Sequence, residues 1–250
     1  MEFIVNSEII IKESIDELSH CIGELIIVEL SSKPKLNIAL SGGSTPKALF
    51  NYLSKNFALK IDWNKIHFFW GDERCVPPDD EQSNYKLAND FLFTRVNLPR
   101  ENIYRIFGEN DAEYEAERYS NIINEKVDSI FNLPSFDIVI LGLGEDGHTA
   151  SIFPNQMEIL NSDNNCMVAL HPISNQKRIT LTGRVINNSK KILFLVSGKS
   201  KQKVVSEILN ENGNFSAYPA SYISPQNGRL TWLLDKQAAA LLEKLDSTQN

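Results

Sequence analysis

The sequence predicts an α/β fold: a single Rossmann-like domain with a mostly parallel central sheet and helices on both faces. Three observations lead there. Short unbroken apolar runs, Ile138 to Leu141 being the clearest, have the pattern of strands buried on both faces. Runs of this kind give way to a glycine or polar turn and then to helical periodicity, in repeated strand, turn, helix order. No repeat with a period of about 20 to 50 residues and no heptad pattern competes with that order, which sets aside solenoids and coiled coils.

Taken in order, an opening strand is expected at Phe3 to Val5. A helix follows over residues 13 to 31, where Ile15, Leu18, Ile22, Leu25, Ile26 and Leu30 recur at helical spacing. Residues 36 to 53 read as strand, glycine turn and helix, with Ser44 or Thr45 as the N-cap and Pro46 at the first helical position. Residues 66 to 85 repeat the logic with a proline-rich loop and a helix capped by Ser83, and Asp72, Glu73 and Arg74 fall at the strand's end. Asp111 caps a polar helix running to about Ile130, and Pro134 breaks it before the strand at 137 to 141. Lys191 to Leu209 supply a fourth strand, turn and helix. A late strand at 230 to 234 and a short C-terminal helix close the chain.

Composition narrows the function classes. At 250 residues, 42% hydrophobic and without a Pro/Gly/Ser-rich linker, the chain fits one domain spanning residues 1–250. The net charge of −7 argues against a general nucleic-acid or acidic-membrane surface, so any phosphate site must be local. The apolar runs are too short to span a membrane and the N-terminus carries acids where a signal peptide carries bases, which makes the cytoplasm the expected location. Cys21, Cys75 and Cys166 lack C-x-x-C spacing and suggest neither a disulfide framework nor a thiolate metal site. No metal and no cofactor is expected. The oligomeric state is left open, a monomer being compatible with everything above.

In open parallel sheets, ligands bind beyond the carboxyl ends of the strands. Four polar sets sit there: Gly42 to Thr45, Asp72 to Arg74, Asp146 to His148 and Gly198 to Lys201. If the strands are neighbours, the sets converge on one crevice. Gly42, Gly43, Ser44 and Thr45 open a helix, whose dipole and free N–H groups favour an anion, though an ordinary capped turn reads the same way. The segment matches neither the Walker A nor the dinucleotide-binding glycine pattern. Lys201 could reach the same anion or simply be solvated. Arg74 could grip a phosphate or pair with Asp72 and Glu73.

His148 lies in a glycine turn poorly suited to core filling, and an imidazole titrates near about 6.5, the range for general-base work. Asp146 could orient it or stabilise an Asx turn. Gly144 and Gly147 would present main-chain N–H groups to an oxyanion. His20, His67 and His171 lack such settings and are read as structural.

The segments SGGSTP, GDERCVPPDDEQSNY and GLGEDGHTASIFP, in this order and separation, resemble the 6-phosphogluconolactonases of the glucosamine-6-phosphate isomerase/6-phosphogluconolactonase superfamily. The resemblance runs from about Leu36 to Leu209 and implies a Rossmann-like domain that hydrolyses 6-phospho-D-glucono-1,5-lactone, a small sugar-phosphate partner. It implies His148 as general base with Asp146 and Asp72 in support, and a phosphate held by the Gly42 to Thr45 turn, Arg74 and Lys201, with Arg178 as a weaker match. Two competitors remain. The sister deaminase pattern carries a glutamate five residues after the histidine, where this chain has Phe153. A non-catalytic sugar-phosphate sensor would normally carry a helix-turn-helix, for which there is no room before Leu36.

Overall fold

The computed structural model describes residues 7 to 242. In chain order the elements are β1 (Ser7–Lys12), α1 (Ile15–Ser32), β2 (Leu36–Leu40), α2 (Ser44–Asn56), β3 (Ile66–Trp70), β4 (Asp72–Arg74), α3 (Asn84–Phe91), α4 (Ala112–Lys126), β5 (Ser129–Ile130) and β6 (Leu133–Pro134). They continue with β7 (Ile138–Leu141), β8 (Cys166–Leu170), β9 (Lys177–Leu181), α5 (Gly183–Asn187), β10 (Lys191–Val196), α6 (Gln202–Leu209) and β11 (Arg229–Asp235). Six strands form one parallel sheet in the order β1-β11-β10-β7-β2-β3, with the helices packed around it.

The strands run parallel, and the crossovers between them cover both faces of the central strands, while the edge strand β1 stays partly exposed. Every residue of β2 and β7 is buried, β7 being an unbroken apolar run and β2 apolar but for Asn37. β7 lies at the centre, Ile38 opposite Ile138 on one side and Val139 opposite Ile192 on the other. Its entry is fixed by Asp137. The Asn37 N–H donates to Asp137 Oδ2 at 2.9 Å, the Asp137 N–H donates back to the Asn37 carbonyl, and Lys33 and Lys190 donate to Oδ1 at 3.1 and 2.9 Å. Burial pushes the Asp137 carboxyl up, but the Asn37 N–H and the two ammonium groups overcome it and hold it below the usual carboxylate range.

A second, three-stranded antiparallel sheet, β4-β9-β8, stands beside the first. Asp72, Glu73 and Arg74 therefore form a strand of their own instead of trailing the end of β3. Arg74 is paired with Arg178, and Asp72 with Thr180.

Other expectations need correction. The cap of α2 is Gly43, not Ser44 or Thr45, because the chain enters the helix at φ +106, a left-handed value that favours glycine; Pro46 is then the third helical residue. Helix α4 stops at Lys126, short of Ile130. Phe131 and Asn132 make a left-handed turn that pairs β5 with β6, so Pro134 belongs to a hairpin and breaks no helix. The edge strand begins at Ser7; the strand expected at Phe3 to Val5 lies outside the described residues. Residues 236 to 242 form turns, and the rest of the expected C-terminal helix lies outside the described residues. Ser83 and Asp111 do cap their helices, accepting from the Lys86 and Tyr114 N–H groups. No helix of the described residues is long and apolar enough to cross a membrane.

Removing the Asp137 carboxylate strands the partly buried Lys190 ammonium and a buried N–H, and leaves Lys33 with Glu29 alone. Asp137→Ala should lower stability by about 3 to 5 kcal/mol at pH 7, read by urea unfolding. Because the folded carboxyl titrates below its unfolded value, its contribution is present above the unfolded pKa and is lost as pH falls through the folded one. The gap between variant and parent should narrow on acidification.

Candidate active site

The carboxyl ends of β2, β7 and β10 open on one cavity of about 220 Å³. Its walls include Gly42, Gly43, Ser44 and Thr45 from the turn after β2, Asp72 and Arg74 from β4, Gly144 and His148 from the turn after β7, Arg178 from β9 and Lys201 from the start of α6. The four sets separated in sequence do meet. Asp146 and Gly147 stand behind His148, and Gly198 stands behind Ser197.

Each wall is tied down. Ser41 donates to the Ile140 carbonyl at 2.8 Å, joining the turn after β2 to β7. Asp235 accepts from Ser197 Oγ and from the Gly198 N–H, fixing the turn after β10. The first N–H groups of α2, at Ser44 and Thr45, have no preceding helical carbonyl to bond, and these residues line the cavity at the positive end of the helix dipole.

The turn after β7 sets the imidazole. Asp146 Oδ1 lies 2.5 Å from His148 Nδ1 and also accepts from the His148 N–H at 3.2 Å, so Asp146 is both a turn stabiliser and an orienting group. A carboxylate only accepts, which places the ring proton on Nδ1 and leaves Nε2 of the neutral ring as the basic nitrogen. Burial raises the Asp146 carboxyl, yet the imidazole's hydrogen bond and charge outweigh it and hold the group below its ordinary value. The back of the turn is closed by Tyr218, whose ring atoms come within 2.4 Å of where a Cβ on Gly147 would stand; Gly147 also has φ +78. No side chain fits there.

The same turn corrects one expectation. The Gly144 N–H donates to the His148 carbonyl at 2.8 Å and the Gly147 N–H donates to the Gly144 carbonyl at 3.1 Å. Both groups expected to meet an oxyanion are engaged within the turn.

Arg74 does not form an ion pair with Asp72 or Glu73 among the described residues. Its Nη1 donates to the Gln82 carbonyl, and its Nε is buried without a partner. Arg178, directly across the strand pair, has its Nε in the same condition. Like charges facing each other across an antiparallel pair are unfavourable, and both guanidinium groups reach the cavity wall. Burial pulls the Arg178 guanidinium down from its ordinary range, the Arg74 charge adds to that, and Asp72 opposes it.

Glu73 serves the loop instead: it accepts from the N–H groups of Arg74, Asn84 and Tyr85 and from Ser83 Oγ. Burial pushes its carboxyl up to about 7 against those N–H groups. Lys201 lies 4.0 Å from the exposed Glu145. No group of three or more His, Cys, Asp or Glu residues suited to a metal ion occurs among the described residues.

Two buried residues of this region were not singled out by the sequence. Asn84 donates to the Asp72 carbonyl at 2.8 Å and lines the cavity. Ser151 donates to Asp72 Oδ2 at 2.6 Å. Both lie inside the sequence motifs, Asn84 after the Ser83 cap and Ser151 three residues after His148, but their partners are visible only once β4 is formed.

The model of the glucosamine-6-phosphate isomerases/6-phosphogluconolactonase family matches residues 11–232. The chain belongs to this family. Among the family's curated members, the 6-phosphogluconolactonase of Haemophilus influenzae is 42% identical over 220 residues, 88% of this chain and 92% of that protein. Among solved structures, the devB protein superposes with a TM-score of 0.89 at 40% identity, covering 93% of this chain and 98% of the other. The 6-phosphogluconolactonase of Trypanosoma brucei superposes with a TM-score of 0.84 at 30% identity, covering 96% and 100%.

The Asp146–His148 geometry of this family member depends on Gly144. A Cβ there would stand 2.1 Å from His148 Nδ1 and 2.4 Å from Asp146 Oδ1, so the added methyl must push the two side chains apart. Both are ends of flexible side chains, and the fold can yield cheaply. Gly144→Ala should melt within a few degrees of the parent while the imidazole ¹⁵N spectrum of His148 changes from the Nδ1–H tautomer to a mixture. An unchanged ¹⁵N spectrum would show that the pair is not held by this contact.

Proposed function

We propose that this chain is a 6-phosphogluconolactonase, hydrolysing 6-phospho-D-glucono-1,5-lactone to 6-phosphogluconate as in the oxidative pentose phosphate pathway. The observation that carries the reading is His148, anchored at Nδ1 by Asp146 and lining a cavity that also holds three cationic side chains and a helix N-terminus. The names of the family relatives support the substrate class.

In this mechanism neutral His148 takes a proton from water at Nε2 as the water oxygen attacks the lactone carbonyl carbon. The carbonyl oxygen becomes an oxyanion. When the intermediate collapses, the bond to the ring oxygen breaks and that oxygen takes the proton from the imidazolium, giving the open-chain acid. Asp146 holds the ring through Nδ1. The phosphate is assigned to the α2 N-terminus (Gly42 to Thr45), Lys201 and Arg74.

With the Gly144 and Gly147 N–H groups engaged, the oxyanion is assigned to the Arg178 guanidinium. Arg178 lies over the Phe153 ring, 5.8 Å from its centroid, and the His148 ring packs on the same phenyl at 4.9 Å. Charge developing beside the imidazole is therefore within the arginine's neighbourhood.

The histidine assignment predicts that His148→Asn keeps the fold and ligand binding while turnover falls by about 10² to 10⁴. Turnover within a few-fold of the parent would reject the assignment.

The two kinds of cation separate by substrate. Lys201→Ala should weaken use of the phosphorylated lactone about 10- to 100-fold while sparing unphosphorylated gluconolactone, because it deletes a charge-assisted contact. Arg178→Ala should depress both lactones alike. The reverse pattern would exchange their roles. Ammonia release from glucosamine 6-phosphate should stay at background, since Phe153 is fully buried and offers no proton-transferring group where the deaminase pattern has its glutamate. Robust ammonia release would overturn the lactonase reading.

A further inference from the structure

Ser151 is fully buried, three residues after the general base, and its hydroxyl is bonded to one carboxylate. Its Oγ donates to Asp72 Oδ2 at 2.6 Å, and its own N–H donates to Thr180 Oγ1 at 3.2 Å. Thr180 is the cross-strand partner of Asp72 and is likewise fully buried. Asp72, Ser151 and Thr180 thus close a ring of contacts across the β4–β9 pair. Asp72 itself lines the cavity, and Ser151 is bonded to one of its two carboxylate oxygens, Oδ2.

The backbone is bent to make this contact. Ala150 has φ +49, in the left-handed region that residues with a Cβ avoid, and it lines the cavity between His148 and Ser151. Thr149 anchors the bend by donating to the Gly142 carbonyl at 2.9 Å, and the Ile152 N–H closes it on the Thr149 carbonyl at 2.9 Å. Strain of this kind persists where surrounding contacts over-determine it, and it gathers at functional sites. Here its effect is to turn a hydroxyl back from the histidine turn onto a carboxylate 79 positions earlier in the chain.

We propose that Ser151 is a positioning residue that locks the Asp72 carboxylate in one rotamer, so that Asp72 presents a single oxygen to a ring hydroxyl of the sugar lactone. This assignment rests on the lactonase reading. The terminal torsion of an aspartate is broad and two-fold when nothing holds it, and productive hydrogen bonds need placement to within about 0.5 Å. Because Ser151 and His148 share one rigid turn, the lock also sets the distance between the hydroxyl-binding carboxylate and the base. The site then selects polyhydroxy lactones over their deoxy counterparts.

The test is a double-mutant cycle on kcat and KM for wild type, Ser151→Ala, Asp72→Asn and the double variant. The substrates are 6-phosphogluconolactone and the analogues lacking one ring hydroxyl at C2, C3 or C4. Wild type should discriminate against one analogue by about 10-fold or more in kcat/KM. Ser151→Ala should lose roughly 10-fold on the full lactone, mostly in KM, and should shrink that discrimination; in the Asp72→Asn background it should add less than about two-fold. Melting temperatures confirm folding. If the alanine variant does not fold, Ser151→Cys, which keeps a weaker donor in nearly the same volume, should give intermediate values in the same cycle. A Ser151 effect equally large without the Asp72 carboxylate, or unchanged discrimination, overturns the proposal. Absence of lactone hydrolysis by wild type overturns the lactonase reading and this assignment with it.

Discussion

Strand β7 lies between β2 and β10 at the centre of the parallel sheet, and Asp137 fixes where it starts by exchanging backbone and side-chain hydrogen bonds with Asn37 and holding Lys33 and Lys190. Four buried residues later the strand ends, and the turn that carries Gly144, Asp146 and His148 begins. Because β2 and β10 run parallel to it, their own terminal turns emerge beside it. The glycine turn opening α2 and the Lys201 turn opening α6 reach the same cavity for that reason alone. The register of three neighbouring strands brings together residues more than 150 positions apart in the chain.

That part of the site is legible in the sequence, since buried parallel strands are written as continuous apolar runs and each is followed by a conspicuous polar or glycine segment. The small antiparallel sheet is not. β4 has three residues, all charged, and neither alternation nor apolar run betrays a strand of that kind. Its pairing with β9 is what brings Arg178 opposite Arg74 and Thr180 opposite Asp72. Ser151 was hidden for the same reason, because a serine in a turn has no visible role until its carboxylate partner has been placed. The engaged N–H groups of Gly144 and Gly147 were hidden differently: glycines announce that a turn is tight, but a tight turn consumes its own donors.

Charge in the molecule is arranged against its average. The chain carries a net charge of −7, yet Arg74, Arg178 and Lys201 all line one cavity. Holding two arginines opposite each other without ligand is unfavourable, and the structure offsets it locally with Asp72 beside them and with the Gln82 carbonyl on Arg74. Glu73 points away from this cluster and closes the 75–84 loop onto the start of α3. Neighbouring acids in one three-residue strand therefore have separate duties, Asp72 toward the cavity and Glu73 toward the loop, as alternation along a strand requires.

Phe153 carries the proposed distinction from the deaminase pattern. Fully buried, it supports the His148 ring on one side, meets the edge of His171 at a centroid distance of 5.4 Å, and lies under Arg178. A phenyl in that place packs against the imidazole at a tilt and presents the negative face of its ring to the Arg178 guanidinium. A glutamate there would compete with Asp146 for the imidazole and with the ligand for Arg178, and its desolvation in a fully buried position would have to be offset by those same partners. With a phenyl there, His148 has Asp146 as its carboxylate partner and the Arg178 guanidinium lies over a neutral ring. The proposed division between base and countercharge rests on that arrangement, and the third proton carrier of a ring-opening isomerase has no counterpart at this position.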